Sequence, residues 1–205
     1  MSQLAATYRN EVVGRLERLT DGNNANALDD AAALIVESLN AGGIIHAFGT
    51  GHSEAFAMEV AGRAGGLIPT NRIALRDVVL HGDRDASILA GATLERDPSV
   101  VAELLDGLSL HDADLFVIAS NSGVNGSVVE MAVQAKQRGH KVIAVTSLEH
   151  TNAVTPKHPS GRRLSELADV VIDNLAPYGD ATMTIGEGIG VGAVSSITAA
   201  SVAQL

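Results

Sequence analysis

The stretch FGTGHSEAFAMEVAGR, residues 48–63, joins a short apolar run to an amphipathic pattern through a turn rich in glycine and hydroxyl groups. The apolar run, residues 44–48, is continuous rather than alternating, as in a strand that is covered on both faces of a parallel sheet. Residues 54–64 then show helical spacing. A turn between a strand and a helix either holds an anion on its N–H groups or exposes a reactive hydroxyl.

The same pattern recurs along the chain and predicts an α/β fold. Apolar runs predict strands at residues 44–48, 115–119, 142–145 and 170–172. Helical spacing follows three of them, at 54–64, 127–138 and 164–167, and two amphipathic helices, at 4–19 and 26–40, come first. Residues 73–79 predict one or two further strands, 99–105 a helix, and 183–205 a long C-terminal helix. We therefore expect one domain, residues 1–205, with three α/β/α layers and a helical N-terminal addition, residues 1–41.

Composition narrows the function classes. The 205 residues carry a formal net charge of -10, whereas nucleic-acid-binding surfaces need a surplus of Lys and Arg. Charged residues interrupt the first 19 positions, so we expect no signal peptide, and no segment predicts a membrane span. The chain has no cysteine, which suits a reducing compartment. We expect a cytoplasmic protein that acts on a small molecule and binds neither nucleic acid nor a membrane.

Two strand-to-helix junctions share one chemical character. Gly49-Thr50-Gly51-His52-Ser53 follows the first strand, and Ser120-Asn121-Ser122-Gly123-Val124-Asn125 follows a later one. Such residues are ordinary caps and turns when either loop is considered alone. Two loops of this kind can line one crevice where the winding of a sheet reverses, and their hydroxyl and N–H groups suit a phosphate although neither loop contains Lys or Arg. The predicted binding residues are Gly49, Thr50, Gly51, Ser53, Ser120, Asn121, Ser122 and Asn125.

Other motifs fit less well. The third glycine of a dinucleotide fingerprint would fall on Glu54, and the chain contains no P-loop Gly-Lys-Ser or Gly-Lys-Thr. The histidines lack the spacing of a zinc site, so we expect no metal and no cofactor. Gly51-His52-Ser53-Glu54-Ala55 approaches the nucleophile elbow of serine hydrolases, but Ala55 replaces its last glycine.

The two loops and their spacing resemble the SIS (sugar isomerase) domain family of phosphosugar isomerases and phosphosugar-binding proteins. The resemblance covers nearly the whole chain and is strongest to an uncharacterised bacterial group named after the phosphoheptose isomerases. It rests on GTGHS (49–53), RAGGL (63–67), SNSG (120–123), VIAVTSLEH (142–150) and ADVVIDN (168–174). It implies a flavodoxin-like, five-stranded parallel sheet, a sugar phosphate gripped by both loops, and a homodimer or homotetramer with sites near subunit boundaries.

The resemblance also suggests catalytic residues. In phosphoheptose isomerases a glutamate four residues before the arginine of a Gly-Arg pair is the proposed base, and Glu59 occupies that position before Arg63. The acid of that family is a C-terminal histidine, yet no histidine follows His158. We therefore expect Glu187 or a loop histidine, foremost His52, to replace it, with His81, His150 and His158 as the other loop candidates.

Three functions stay open on the sequence alone. The first is an isomerase that interconverts aldose and ketose phosphates through an enediolate, or a lyase that uses the same chemistry. The second is a sensor that binds a sugar phosphate, in which Glu59 and Arg63 form only a surface pair. The third is a serine hydrolase that uses Ser53. The sugar, the acid and the oligomer size do not follow from the sequence.

Overall fold

The computed structural model describes residues 3–205, in which a five-stranded parallel sheet lies between two layers of helices. The strands are β1 (Ile45–Gly49), β2 (Thr70–Ile73), β3 (Leu115–Ala119), β4 (Lys141–Thr146) and β5 (Val170–Asp173), and their order in the sheet is β2-β1-β3-β4-β5. The predicted α/β fold with a five-stranded parallel sheet and N-terminal helices is confirmed.

Helices connect the strands and precede them. They are α1 (Gln3–Arg18), α2 (Gly22–Asn40), α3 (Glu54–Val60), α4 (Asp77–Leu80), α5 (Thr93–Arg96), α6 (Val100–Asp106), α7 (Gly126–Gln137), α8 (Leu148–Ala153), α9 (Leu164–Leu167) and α10 (Ser195–Val202). Two short strands, β6 (Met183–Ile185) and β7 (Ile189–Val191), form a separate antiparallel hairpin. Within the described residues, no helix combines the length and the apolar character that crossing a membrane requires.

The order of the strands places two loops side by side. In the sheet, β2 lies on one side of β1 and β3 lies on the other. After β2 the chain crosses back past β1, so the direction of winding reverses between β1 and β3. Their register pairs Gly49 with Ala119, and both strands therefore end at the same level. Ligands of open α/β sheets bind at such a reversal, beyond the carboxyl ends of the strands.

Alternating side chains of the strands fill two apolar cores, one on each face of the sheet. Phe116 and Ile118 of β3 pack into a core with α6 and α7. Leu115 and Val117 point the other way, into a core that α2 and α10 cover. On that face Asn24 of α2 exchanges two hydrogen bonds with the backbone of Asp173, at 2.8 and 3.1 Å. Helix α2 thus packs on the sheet, whereas the organisation of residues 1–205 as one domain with a helical N-terminal addition stays a prediction.

The structure corrects the predicted C-terminal helix over residues 183–205. The segment forms the β6–β7 hairpin, and only residues 195–202 are helical. Gly186 and Gly188 lie in the hairpin turn with φ of 52° and 91°, a conformation that glycine adopts without steric cost. The apolar and small residues of this segment favoured a helix in the sequence, but the glycine turn prevails.

Two smaller predictions are also corrected. The helix expected at 54–64 ends at Val60, because Ala61 is extended and Gly62 takes a φ of 77°. The strands expected within 73–79 are wrong except at Ile73, the last residue of β2. The segment that follows forms α4, where the carboxylate of Asp77 accepts the backbone N–H of Ala74 at 2.8 Å.

A buried polar cluster lies in the sheet away from the β1 and β3 carboxyl ends. His46 of β1 has one ring nitrogen 3.1 Å from the carboxylate of Asp114 and the other 3.2 Å from the amide of Asn71. Its ring stacks on Phe116, with centroids 5.0 Å apart. Both partners of the His46–Asp114 pair are almost inaccessible to solvent.

Burial decides the charge of this pair. Desolvation lowers the pKa of His46 and outweighs the opposing effect of Asp114, while the nearby His140 lowers that pKa further. Burial raises the pKa of Asp114, but hydrogen bonds from the N–H groups of His111 and Ile44 and from His46 lower it more, so the net shift is downward. The cluster therefore holds a neutral imidazole beside a carboxylate at neutral pH.

This cluster predicts that stability decreases in mild acid. Below a pH of about 6.5 the unfolded chain protonates residue 46 while the folded chain resists, so the free energy of unfolding falls with a slope of at most about 1.4 kcal/mol per pH unit. Urea denaturation between pH 5 and 8 measures the slope. His46→Gln should flatten it, whereas His81→Gln, at an exposed position, should leave it unchanged. Equal slopes in the unaltered protein and His46→Gln would contradict the assignment.

Candidate functional site

The two predicted loops meet in one cavity. It has a volume of about 390 Å³ and lies at the carboxyl ends of β1 and β3. Seven of the eight predicted binding residues line it, namely Thr50, Gly51, Ser53, Ser120, Asn121, Ser122 and Asn125, and Gly49 does not. Ser53 and Ser122, which come from different loops, thus face a common hollow.

Gly49 shapes the first loop without lining the cavity. The chain folds back so tightly after β1 that a Cβ atom on Gly49 would lie 2.2 Å from the carbonyl oxygen of Ser53. The N–H of Ser53 in turn donates to the carbonyl of Thr50 at 3.1 Å. No side chain fits at residue 49, so only glycine allows the backbone of Ser53 to lie this close. This close approach sets the position of Ser53.

The second loop is held by its own hydroxyl. The N–H of Gly123 donates to Oγ of Ser120 at 3.1 Å, and Gly123 has a φ of 64°. Ser120 therefore has a turn role in addition to its place in the cavity wall. The loop leads into α7, a 12-residue helix that begins at Gly126, and the N-terminus of such a helix favours an anion. Ser122 remains half-buried beside this helix start.

Glu95 lies between the two loops, although no motif in the sequence pointed to it. One carboxylate oxygen accepts a hydrogen bond from the amide of Asn125, and the other lies 3.2 Å from where a Cβ of Gly51 would be. The backbone of Glu95 is fixed by the hydroxyl of Ser127, which donates to its carbonyl at 2.8 Å. A half-buried carboxylate thus projects into the cavity from α5, where the sequence predicted no helix or strand.

The start of α10 forms another wall of the cavity. Asp180 accepts the N–H groups of Val194 and Ser195, both at 2.9 Å, and the hydroxyl of Ser195 at 2.6 Å. Asp180, Ser195 and Ser196 all line the cavity. Because three donors from the start of α10 bind Asp180, its carboxylate is held in a fixed position in the cavity wall.

The three predicted catalytic residues are placed differently. His52 is exposed and lines the cavity. Glu59 is paired with Arg63 and accepts a hydrogen bond from Gln204 at 3.2 Å. It lies in a neighbouring pocket, which shares only Ser196 with the cavity. Glu187 is exposed at the β6–β7 turn and lines neither. The catalytic roles of all three residues stay predictions.

Charges around the cavity are mixed. Lys157 brings an ammonium group within 3.5 Å of Oδ1 of Asn125, so a cation stands beside the second loop although neither loop contains one. His150 adds an imidazole to the wall. Among residues 3–205 no group of three or more His, Asp or Glu side chains is arranged to hold a metal ion. A ligand would therefore meet hydroxyl, amide and imidazole groups together with the carboxylates of Glu95 and Asp180.

The cavity also has lining residues that the sequence analysis did not predict, and they come from three segments that are far from the two loops in the sequence. Glu95 precedes α6, Asp180 follows β5, and Ser195 and Ser196 open α10. A local sequence pattern cannot reveal such residues, because they reach the cavity only through tertiary packing. Glu95 is held against α7, and Asp180 is held against the start of α10.

Comparison with known proteins agrees with the fold. The UPF0309 protein of Caldanaerobacter subterraneus subsp. tengcongensis is 37% identical over 179 residues, which are 87% of this chain and 71% of that protein. The structure of a phosphoheptose isomerase from Francisella tularensis superposes with a TM-score of 0.63 at 19% identity, covering 100% of this chain and 95% of that one. The Vibrio vulnificus NanR protein complexed with ManNAc-6P gives a TM-score of 0.52 at 15% identity, covering 99% and 60% of the two chains.

The structural similarities concern the fold, whereas the sequence matches identify the family. A family model described as the SIS domain matches residues 7–147, which include both loops and the first four strands of the sheet. The chain therefore belongs to the SIS domain family.

Proposed function

We propose that this protein binds the phosphate group of a sugar phosphate between its two loops and isomerises the sugar between its aldose and ketose forms. The observation that carries the proposal is the convergence of Ser53 and Ser122 on one cavity where the winding of the sheet reverses. Membership of the SIS domain family supports it, as do the neighbours in fold named for phosphoheptose isomerisation and for a complex with ManNAc-6P. The cavity volume of about 390 Å³ suits a small sugar phosphate.

The reaction requires a base and a stabilised oxyanion. The base removes the proton from the carbon next to the carbonyl, and the C–H electrons form the double bond of an enediolate while the carbonyl electron pair passes to its oxygen. A proton then moves from the neighbouring hydroxyl oxygen to this oxygen, the hydroxyl becomes the new carbonyl, and the base returns its proton to the former carbonyl carbon. Glu59, predicted from the family resemblance, and Glu95, found between the loops, are the two candidate bases. The geometry favours Glu95, because its carboxylate lines the cavity and that of Glu59 does not.

Phosphate binding is tested first, with inorganic phosphate as the probe. Ser53→Ala and Ser122→Ala should each weaken binding roughly tenfold to a hundredfold, since a hydrogen bond to a charged group is worth about 1.5–3 kcal/mol. Isothermal calorimetry measures the dissociation constants. Ser201→Ala is the matched control, because its hydroxyl donates to the carbonyl of Ile197 outside the cavity. Undiminished phosphate affinity in both loop variants would rule out this binding mode.

Catalysis is tested separately from binding. The protein is incubated in deuterium oxide with a panel of aldose and ketose phosphates of four to seven carbons, and nuclear magnetic resonance detects deuterium at the exchanging carbon. The proposal expects exchange with at least one sugar that also raises the melting temperature. A sugar phosphate that binds without exchange or conversion would identify the protein as a sensor instead.

The hydrolase alternative gains no support from the site. Within residues 3–205 the hydroxyl of Ser53 has no hydrogen bond to a histidine, which activation of a serine nucleophile requires.

A further inference from the structure

His150 lines the cavity, and one of its ring nitrogens is held by two donors. The backbone N–H of Gly179 donates to Nδ1 at 3.3 Å, and the side-chain amide nitrogen of Asn121 lies 3.3 Å from the same atom. The ring also contacts that of Tyr178, with centroids 5.2 Å apart. The orientation of the imidazole is therefore fixed from two sides.

A chain of hydrogen bonds determines which way the Asn121 amide faces. The N–H of Ala176 can only donate, and it donates to Oδ1 of Asn174 at 3.0 Å. Nδ2 of Asn174 therefore faces Asn121 and donates to its Oδ1 at 3.1 Å. Asn174 is only 2% exposed, so water does not compete for these groups. Nδ2 of Asn121 is left to donate to His150.

The position of the imidazole proton follows from this chain. A ring nitrogen that accepts hydrogen bonds carries no proton, so neutral His150 holds its proton on Nε2. Within residues 3–205, Nε2 has no hydrogen-bond partner. His150, which lines the cavity, thus carries an N–H donor that is oriented in advance and has no partner among the described residues.

We propose that neutral His150 donates its Nε2–H to the carbonyl oxygen of the sugar whose phosphate the two loops hold. The inference rests on the proposed function and assigns the oxyanion-stabilising group that the reaction requires. As the enediolate forms, negative charge develops on that oxygen, and a fixed donor stabilises it without transferring its proton. Asn121 and Asn174 act through His150 and are positioning residues.

The tautomer is measured without any ligand. Long-range proton–nitrogen spectra of the protein labelled with ¹⁵N-histidine, recorded at about pH 9 and thus well above the ordinary histidine pKa, distinguish the two neutral forms. His140 is an internal reference, because its Nδ1 lies 3.1 Å from the carbonyl oxygen of Asp114, which can only accept. We expect Nδ1–H at His140 and Nε2–H at His150, with His150→Gln assigning the signal. Nδ1–H at His150 would overturn the proposal.

Ligand response separates this inference from the proposed function. Inorganic phosphate should shift the backbone amide signals of residues 120–125 and leave the Nε2 signal of His150 in place, because phosphate has no carbonyl. The sugar phosphate that raises the melting temperature most should shift both. If the loop responds to that sugar and Nε2 does not, the role of His150 is refuted while phosphate binding stands. If the loop responds to neither compound, both proposals fail.

Affinity provides the second readout. His150→Ala should weaken binding of that sugar phosphate about tenfold while leaving the affinity for inorganic phosphate unchanged, since one net hydrogen bond is lost. His150→Gln keeps an N–H donor and should recover part of the loss. An equal loss of affinity for the sugar phosphate and for inorganic phosphate would indicate a damaged loop and contradict the proposal.

Discussion

Gly49→Ala is expected to abolish phosphate binding and to lower the free energy of unfolding by about 3 kcal/mol, the upper part of the usual cost of overpacking. The new Cβ would lie 2.2 Å from the carbonyl oxygen of Ser53 and 2.6 Å from its carbonyl carbon. Both are backbone atoms, so no side-chain rotation relieves the clash. The loop must move, and Ser53 moves with it away from the second loop.

Urea denaturation and calorimetry with inorganic phosphate measure the two effects of this substitution. Gly14→Ala is the matched control, because a Cβ at Gly14 in α1 meets no atom within 4 Å. That variant should bind phosphate normally and gain up to about 1 kcal/mol of stability from helix propensity. If Gly49→Ala folds and binds phosphate as tightly as the unaltered protein, the position of Ser53 does not govern binding.

The second large effect is expected at Glu95. Glu95→Gln should lower the rate of deuterium exchange by about 10²–10⁴-fold, the usual contribution of a general base. Glutamine keeps the oxygen that accepts the Asn125 amide, so the loops should remain in place. Phosphate affinity should not fall, because the substitution removes a negative charge near the bound anion.

Glu59→Gln is the matched comparison for Glu95→Gln. Glu59 is about one-third exposed and paired with Arg63, so its loss should change the exchange rate by less than about threefold, as expected for a surface ion pair. The reverse result, a large loss in Glu59→Gln alone, would identify the base that the family resemblance predicts. Normal exchange in both variants would exclude both carboxylates.

The sequence predicted the three central strands well because they are buried on both faces, whereas it missed most of the half-buried edge strand β2. Residues 115–119 and 141–146 are strands almost as predicted, since a continuous apolar run of four or five residues bounded by turn residues is typical of a buried strand. Segments that are polar or rich in glycine were harder to predict from the sequence. In residues 183–194 small and apolar residues favoured a helix, yet two glycines with positive φ form a hairpin turn. Local composition did not distinguish the two outcomes.

The candidate site was likewise predicted only in part. The sequence by itself determined the two loops, because glycine, serine and asparagine between a buried strand and a helix restrict the backbone locally. Only the tertiary structure decided that Ser53 and Ser122 share a cavity with Glu95 and His150. The reversal of winding between β1 and β3 aligns the loops, and the packing of α5 against the start of α7 brings in Glu95. The proximity of these side chains depends on how helices and strands from the whole chain pack together. A local pattern of residues does not encode this packing.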